Sequence, residues 1–419
     1  MRDGAGTIAR AGAHGFCRVT GIIKTALGRC QAALVASSTS ADTNSLLILQ
    51  MSSDHRSLLR DSVADFVARG TDIARVRRLR GMPAEYDRAV WGKMAELGWL
   101  GVLIPEQYGG LGLGLAEAAI VAEGLARALV PEPLTAAAVL AGSDNETLKQ
   151  ALLPRLVAGE MVPALAWQEQ AGVLDVTAIS TRALPFEGGF RLNGEKRFIA
   201  GAAGADGYIV SANTPQGMAL LWLAHDTPGA SLELEPLADG RHFGTLRLRD
   251  AVVPAQNRLA GVETARTVLE QALDHATVIA GAELCGVMGR VLDMSVEYMK
   301  TRVQFGKPIG SFQGLQHRAV DLYIQQQISS AVLDEALRAL DQHPDATARA
   351  ACASRVKARC SDAGLRITRE AIQIHGAIGF TDEYDAGLYL KRAMVLAAWL
   401  GNAQEHRRRY ARLVPPEFE

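Results

Sequence analysis

The stretch RVQFGKPIGSFQ, Arg302–Gln313, decides the fold of this chain when it is read together with IQIHGAIGF, Ile372–Phe380. The first stretch has the pattern of a helix that ends in a loop, because Gly306 and Pro308 both stop a helix. Gly376 in the second stretch indicates either a helix C-terminal cap or backbone that passes close to another group. Both stretches therefore predict helix ends.

Three side chains of the first stretch suit a nucleotide-like ligand. Arg302 is a fixed cation that can bind a diphosphate, and Phe305 is an apolar plate that can cover a ring. Gln313 offers a donor and an acceptor to the edge of a heterocycle. The alternative is purely structural: a surface arginine, a core phenylalanine and a capping glutamine.

Several segments together resemble the acyl-CoA dehydrogenase family, over most of the chain from about Asp54 to Arg412. ELGWLGVLIPEQYGGLGLGLAEAAIVAEGLARA (Glu96–Ala128) is similar to the family's N-terminal helical region. LNGEKRFIAGAAGADGYIVSA (Leu192–Ala212) is similar to its middle β-domain, and VVPAQNRLAG (Val252–Gly261) to the exit from that domain. Because these motifs occur in the family's order and spacing, the chain is identified as a member of this FAD-dependent family.

The hydrophobic period predicts the same architecture. Apolar residues recur at helical spacing up to about residue 159, alternate or run as in strands over 162–259, and return to helical spacing in four long segments. We therefore predict an α+β fold with an N-terminal helical domain, a middle β-barrel or sandwich domain and a C-terminal four-helix bundle. The predicted domain bounds are 51–160, 161–260 and 261–415, and the four C-terminal helices are 262–301, 314–341, 345–376 and 386–412.

Residues 1–50 differ from the rest, since they are rich in Ala, Gly, Arg, Ser and Thr and carry only Asp3 and Asp42 as acids. They are expected to stay out of the fold. An Arg-rich, acid-poor leader is typical of an organelle transit peptide. Alternatively the start is misassigned and Met51 is the initiator, because MSSDHRSLL predicts a capped amphipathic helix beginning there.

Composition is that of a large enzyme without nucleic-acid partners. The 419 residues are 48% hydrophobic and 21% charged, and the net charge is −1 with both signs interspersed. No apolar run reaches the length of a membrane span. The five cysteines are odd in number and lack metal-ligand spacing, so we expect no metal and a reducing, cytoplasmic compartment.

The resemblance implies α,β-dehydrogenation of an acyl-CoA thioester in fatty acid or steroid side-chain catabolism, by β-oxidation. It implies FAD as cofactor, electron-transfer flavoprotein as acceptor and an oligomer built as a dimer of dimers. Arg302, Phe305 and Gln313 would then hold the adenosine and diphosphate of an FAD lodged mainly in a neighbouring subunit. Gln373 and Gly376 would approach the same cofactor from the C-terminal domain.

The catalytic base is where this sequence departs from the family. Dehydrogenation needs a carboxylate to take the α-proton and a flavin to receive the β-hydride. The resemblance places Leu400 at the usual base position, and leucine cannot accept a proton. A minority of relatives carry the base on the preceding long helix, where this chain has Ala276, and the neighbouring position holds Thr277 rather than arginine.

Glu283 is the main candidate base that remains nearby. It lies two helical turns past Ala276, at roughly 10 Å, in an otherwise apolar stretch. A buried glutamate there suits a base with a raised pKa, and equally suits a structural partner of an arginine. Asp274 and His275 are weaker candidates, expected on a solvated or interfacial face.

The predicted β-domain also departs from the family in its flavin-binding positions. Trp167–Asp175 (WQEQAGVLD) stands where the family's Thr-Glu-Pro and Gly-Ser-Asp occur, so that Gln168 replaces the threonine. Phe198 stands where a tryptophan usually covers the flavin, and Ala200 replaces a threonine. Trp167, Gln168 and Phe198 are the implied flavin contacts. The alternative is an ordinary β-domain core with no flavin in this subunit.

These losses resemble bacterial members that lack the glutamate and work as α2β2 heterotetramers. In those enzymes one subunit type carries the base and most of the flavin pocket, and the other donates its Arg/Phe/Gln motif. Three hypotheses follow: half of a heteromeric dehydrogenase, a self-sufficient homo-oligomer with a displaced base, or a non-catalytic acyl-CoA-binding or structural subunit.

Overall fold

The computed structural model describes residues 41–80, 82, 87–130 and 134–415. Helices precede and follow a sheet, which confirms the predicted α+β order. The α-helices are α1 (Ala41–Gly70), α2 (Ala74–Leu79), α3 (Arg88–Glu96), α4 (Leu115–Ala126), α5 (Leu134–Ala141), α6 (Glu146–Val157), α7 (Ala265–Thr301), α8 (Gln313–Leu340), α9 (Ala346–His375), α10 (Ala386–Ala398) and α11 (Ala403–Leu413). The strands are β1 (Pro163–Ala166), β2 (Arg182–Phe186), β3 (Gly189–Ala200), β4 (Gly207–Thr214), β5 (Gly217–Ala224), β6 (Ala230–Pro236), β7 (His242–Pro254), β8 (Arg258–Ala260), β9 (Val303–Gln304) and β10 (Lys307–Pro308).

The first helix begins earlier than predicted. α1 starts at Ala41 and runs through Met51, so the expected helix start at Met51 is wrong. The segment SLLILQM contains good helix formers, which extend the helix past the Ser-Ser pair that suggested a cap. The rest of the predicted leader, residues 1–40, lies outside the described residues.

The middle region is one connected eight-stranded sheet with its own core. Strand order is β6-β7-β3-β2-β4-β5-β8, and β1 pairs in parallel with β4. β3 and β7 pair along most of their length, with register shifts after Leu192 and Lys196. Side chains from these strands, including Ile199 and Leu246, belong to an apolar cluster separate from the helical core.

α7 is the central element of the helical part. It is 37 residues long, and every residue from Ala276 to Met288 is buried, which is the pattern of a helix surrounded on all sides. It packs closely on α9, where a Cβ at Gly281 would lie 2.3 Å from Val356, and on α4, where a Cβ at Gly286 would lie 2.1 Å from a carbonyl oxygen.

The last predicted C-terminal helix is in fact two. α10 and α11 are separated by a tight turn in which Leu400 has φ 59° and Gly401 has φ 93°. Asn402 then caps α11, since its side chain accepts hydrogen bonds from the backbone N–H groups of the first turn. The left-handed turn and the new cap together prevent a continuous helix.

The segment between α7 and α8 is a small hairpin rather than an irregular loop. β9 and β10 pair antiparallel across the two-residue turn Phe305–Gly306, with φ values of 53° and 77°. Positive φ at both positions matches the tight turn that fits the twist of a β-hairpin. The helix α7 therefore leads into a hairpin whose residues are exposed.

No helix within the described residues has both the length and the apolar character needed to cross a membrane.

We expect Gly286→Ala to lower the free energy of unfolding by about 1–3 kcal/mol, because its Cβ would clash with the Glu123 carbonyl and push α4 away from α7. Urea unfolding followed by circular dichroism measures the change. The matched control is Gly92→Ala in α3, where a Cβ meets nothing within 4 Å and the helix should gain about 0.5–1 kcal/mol. Equal stability of the two variants would contradict the close approach.

Candidate active site

A cleft of about 1110 Å³ opens between the β-domain and the C-terminal helices. Its walls are the loop at 172–176, the N-terminal half of α7, the start of α9 and the helix α11. Seven large apolar side chains line it: Trp167, Val173, Leu174, Val176, Leu273, Leu400 and Leu413. Five arginines also line it: Arg266, Arg349, Arg408, Arg409 and Arg412.

Leu400, which the resemblance places at the base position, lines this cleft and is 4% exposed. Thr277 lines the cleft from α7, and its hydroxyl donates to the Leu273 carbonyl at 2.7 Å. Ala276 is buried in the same helix. The two positions at which the resemblance implies a base are therefore both apolar.

The four carboxylates that line the cleft all have partners. Asp175 accepts from the Thr177 hydroxyl at 2.6 Å and from its N–H at 2.9 Å, and these bonds lower the pKa of Asp175. Glu270 pairs with Arg266 at 2.8 Å. Glu405 accepts from the Asn402 N–H at 2.7 Å, and Asp274 pairs with two arginines. Within the described residues the cleft presents no unengaged carboxylate.

Asp274 is buried in the cleft wall, so its expected place on a solvated or interfacial face is wrong. It is bound by Arg349 at 3.1 Å and by Arg409 at 2.8 Å, from α9 and α11. Two guanidinium groups share one carboxylate, so the cluster carries one net positive charge. His275 beside it is largely buried, and burial together with Arg349 lowers the pKa of His275 to about 4.

Glu283 lies away from the cleft lining, and its carboxylate forms a buried ion pair. Oε2 binds the Arg392 guanidinium at 2.7 Å, and Arg392 also binds Asp239 at 3.2 Å. Burial opposes the charge on Arg392, but the two carboxylates outweigh it and raise the pKa of Arg392. Oε1 of Glu283 meets no hydrogen-bond partner among the described residues. This geometry favours the structural interpretation of Glu283.

The hairpin presents its implied flavin ligands outward. Phe305 is 92% exposed at the tip, with its ring edge-on to Phe312 at 6.1 Å between centroids. Arg302 is exposed at the end of α7, and no ion pair engages its guanidinium within the described part of the chain. Gln313 is exposed as the first residue of α8.

Gln373 and Gly376 lie at the C-terminal end of α9, on a different element from the hairpin. Gln373 is exposed, and Gly376 ends the helix with φ 65°. A Cβ at Gly376 would meet nothing within 4 Å, so a positive φ rather than a close approach explains this glycine.

The implied flavin contacts in the β-domain are engaged within the chain. Trp167 follows β1 and lines the cleft, and the Gln168 side chain donates to the carbonyls of Gln170 and Val173 at 3.0 and 3.3 Å. Phe198 sits at a bulge of β3 with φ 57° and is stacked by Arg197 at 4.9 Å. No hydrogen bond or ring contact within the described residues joins these three to the hairpin ligands.

A buried ion pair anchors the strand next to this region. Lys196 is fully buried, and its Nζ binds Glu169 at 2.7 Å. Burial opposes ionisation of Glu169, but Lys196 and the N–H groups of Ser180 and Thr181 outweigh it and lower the pKa of Glu169 to about 2.

Two domains of one known protein family match the two helical parts of this chain. The N-terminal domain of acyl-CoA dehydrogenase matches residues 53–160, and its C-terminal domain matches residues 266–414. The chain belongs to the acyl-CoA dehydrogenase family. Members of this family are FAD-dependent oxidoreductases that act on the CH–CH bond of an acyl-CoA, and the predicted family and enzyme class are thereby confirmed.

The similarity to individual relatives extends over the β-domain as well. Acyl-CoA dehydrogenase IpdE2 of Mycolicibacterium smegmatis is 34% identical over 85% of this chain and 98% of its own length. The ChsE4-ChsE5 complex from Mycobacterium tuberculosis contains a chain with a TM-score of 0.78 and 26% identity, covering 85% of this chain and 96% of that one. A Tcur3481-Tcur3483 steroid ACAD variant has a TM-score of 0.77 and 28% identity, covering 86% and 98%.

The sequence interpretation missed the Asp274–Arg349–Arg409 cluster of this acyl-CoA dehydrogenase. A signal was present, because Asp274 and Arg349 are each a charged residue in an alanine-rich helix. Buried charges are rare unless they are paired, so two such residues indicate a pair. The sequence did not show which residues pair, since that depends on how the helices pack.

We expect Glu283→Gln to lower the free energy of unfolding by about 3–5 kcal/mol, because it leaves Arg392 buried with one carboxylate fewer. Turnover per folded enzyme should stay within about twofold, well inside the 10²–10⁴ that a base contributes. The control is Glu297→Gln, an exposed position on the same helix, which should change stability by less than about 0.5 kcal/mol. Lost turnover with unchanged stability would instead identify Glu283 as the base.

Acid should weaken the Glu169–Lys196 pair. Because the pKa of Glu169 is lowered from 4.5 to about 2, the unfolded chain takes up a proton first, and this stabilisation is lost as pH falls from 4.5 towards 2. Glu169→Gln should therefore show a shallower loss of unfolding free energy across that range than wild type. The exposed Glu187→Gln serves as control, and parallel profiles for all three proteins would contradict the assignment.

Proposed function

We propose that this chain is one subunit of a heteromeric FAD-dependent acyl-CoA dehydrogenase, to which it contributes the hairpin ligands but no catalytic base. The observation that carries the proposal is the cleft itself. Leu400 occupies the usual base position, and the four cleft carboxylates are all held by partners in the described chain. A neighbouring subunit would supply the base at its own cleft.

The exposed hairpin supports the proposal that this chain contributes flavin ligands to a neighbouring subunit. Phe305 is 92% exposed, although an isolated chain gains nothing by exposing a phenylalanine in a left-handed conformation. Arg302 offers a fixed cation beside it. These residues fit the diphosphate and ring system of an FAD that reaches them from outside this chain. Gln313 would add an amide to the same site.

An exposed apolar face on α8 supports subunit assembly. Val320, Tyr323, Ile324 and Ile328 are between 44% and 55% exposed, at the spacing of one helix face. Rows of this kind on a surface helix mark protein contacts. The matched ChsE4-ChsE5 structure is itself a complex, and this resemblance favours a partner of different sequence over a second copy.

The cleft of this chain fits an acyl-CoA in its chemistry. Its apolar wall suits an acyl group, and the net positive charge of the Asp274 cluster with Arg408 and Arg412 suits phosphate groups. FAD, when bound to the enzyme, supplies the hydride acceptor of the reaction. In the assembled enzyme Arg302 would bind and orient that cofactor, and Phe305 would exclude water from it.

The electron acceptor is proposed from the family resemblance. Electron-transfer flavoprotein is the proposed electron acceptor. The described cysteines Cys285, Cys352 and Cys360 are free thiols, which fits the expected reducing, cytoplasmic compartment.

Absorbance spectra of the purified chain, alone and co-expressed with a neighbouring paralogue, test the proposal. We expect flavin only in the co-expressed complex. Flavin bound by the chain alone, with turnover, would favour the self-sufficient homo-oligomer. No flavin in either preparation would favour a non-catalytic subunit.

In the complex, Arg302→Ala should lower flavin affinity by roughly tenfold to a hundredfold, since a charge-assisted contact contributes about 1.5–3 kcal/mol. Flavin released during dilution measures the loss, and helical circular dichroism should stay constant. Lys300→Ala is the control, because this exposed cation belongs to the preceding helix turn and lies outside the motif. Unchanged flavin affinity in Arg302→Ala would contradict the donation.

A further inference from the structure

The turn between α10 and α11 is held by a buried lysine that has no acidic partner among the described residues. Lys357 of α9 is fully buried, and its Nζ donates to the carbonyls of Leu396, Ala397 and Gly401 at 2.8, 3.3 and 2.7 Å. An ammonium group has three N–H donors, so all of them are engaged. The three acceptors are backbone atoms on either side of Leu400.

Two of those carbonyls belong to the last turn of α10. Carbonyls at a helix C-terminus lack partners in their own helix and carry the negative end of its dipole. A buried cation at this point therefore satisfies acceptors that the abrupt end of α10 would leave open. Burial lowers the pKa of Lys357 to about 7, and the three carbonyls are the groups that stabilise its ammonium form in this apolar place.

His406 binds a further carbonyl of the turn. Its Nε2 lies 2.8 Å from the Leu400 carbonyl oxygen, and the ring is 1% exposed. Burial lowers the pKa of His406 to about 3, so the ring is neutral and its one N–H must lie on Nε2, because a carbonyl only accepts. Lys357 and His406 thus bind the carbonyls of residues 396, 397, 400 and 401.

This arrangement explains how Leu400 keeps an unfavourable backbone. A leucine at φ 59° is strained, and such a conformation persists only where the surroundings determine it. The result is that the side chain of residue 400 lines the cleft. We propose that Lys357 and His406 are positioning residues that hold residue 400 against the cleft, so that position 400 has the backbone frame of a base position although its side chain is not a base. The inference rests on the proposed function only in naming position 400 as the base position.

A cysteine at position 400 makes it possible to measure how firmly the turn is held, without flavin, partner or substrate. In Leu400→Cys, the rate of labelling by N-ethylmaleimide, read by mass spectrometry of the peptide carrying residue 400, measures how often the turn opens. Adding Lys357→Met or His406→Ala should raise that rate about tenfold or more, the factor equivalent to about 1.4 kcal/mol. Adding His406→Gln, which keeps a donor, should leave the rate close to that of Leu400→Cys alone.

Val356→Ala is the matched control, since it removes packing next to Lys357 on the same helix but none of the donors. It should lower the melting temperature and leave the labelling rate within about threefold. The inference is overturned if folded Lys357→Met and His406→Ala label no faster than Leu400→Cys alone, or if Val356→Ala labels as fast as they do. If Lys357→Met does not fold, the His406→Ala and His406→Gln pair decides. Absence of flavin in the co-expressed complex would overturn the proposed function and leave this measurement unaffected.

Discussion

The close packing of α7 against α4 and α9 is the constraint on which the rest of the molecule depends. At Gly281 and Gly286 the neighbouring helices approach so closely that a single added methyl group would overlap them. This packing fixes the position of α7, and α7 contributes to two separate surfaces. Its N-terminal half forms a wall of the cleft, and its C-terminal end projects the hairpin that carries Arg302 and Phe305.

The two ends of α7 differ in their chemistry. At the hairpin, Arg302, Phe305 and Gln313 are all exposed. At the cleft, Leu400 and Ala276 are apolar, and charge is concentrated in a cluster with one acid and two arginines. This difference is the basis of the proposed division of labour between unlike subunits.

The order of helical and β regions could be predicted from the sequence, because it follows from the hydrophobic period. Arg302, Phe305 and Gln313 could be singled out because they are close together in the chain, and their role as flavin ligands stays a prediction. The break at Leu400 was missed because a leucine carries no signal for a left-handed turn. Gly401 and Asn402 were the available signals, since glycine often ends a helix and asparagine often begins one.

Interactions between distant residues could not be predicted in this way. Glu283 read alone is compatible with a base or with a structural ion, and only the packing of α10 against α7 brings Arg392 to it. The same holds for Lys357, whose partners are backbone carbonyls on two other segments. Every residue has a backbone carbonyl, so the residue types at those positions do not reveal the contact.

The flavin content of the purified heteromeric complex tests the central claim most directly. Flavin is quantified by absorbance after denaturation, and the two chains by amino-acid analysis. A complex in which this chain donates its hairpin to a flavin held mainly by its partner should contain one FAD for each pair of unlike chains. Two FAD molecules per pair, or a full complement on this chain purified alone, would contradict the account.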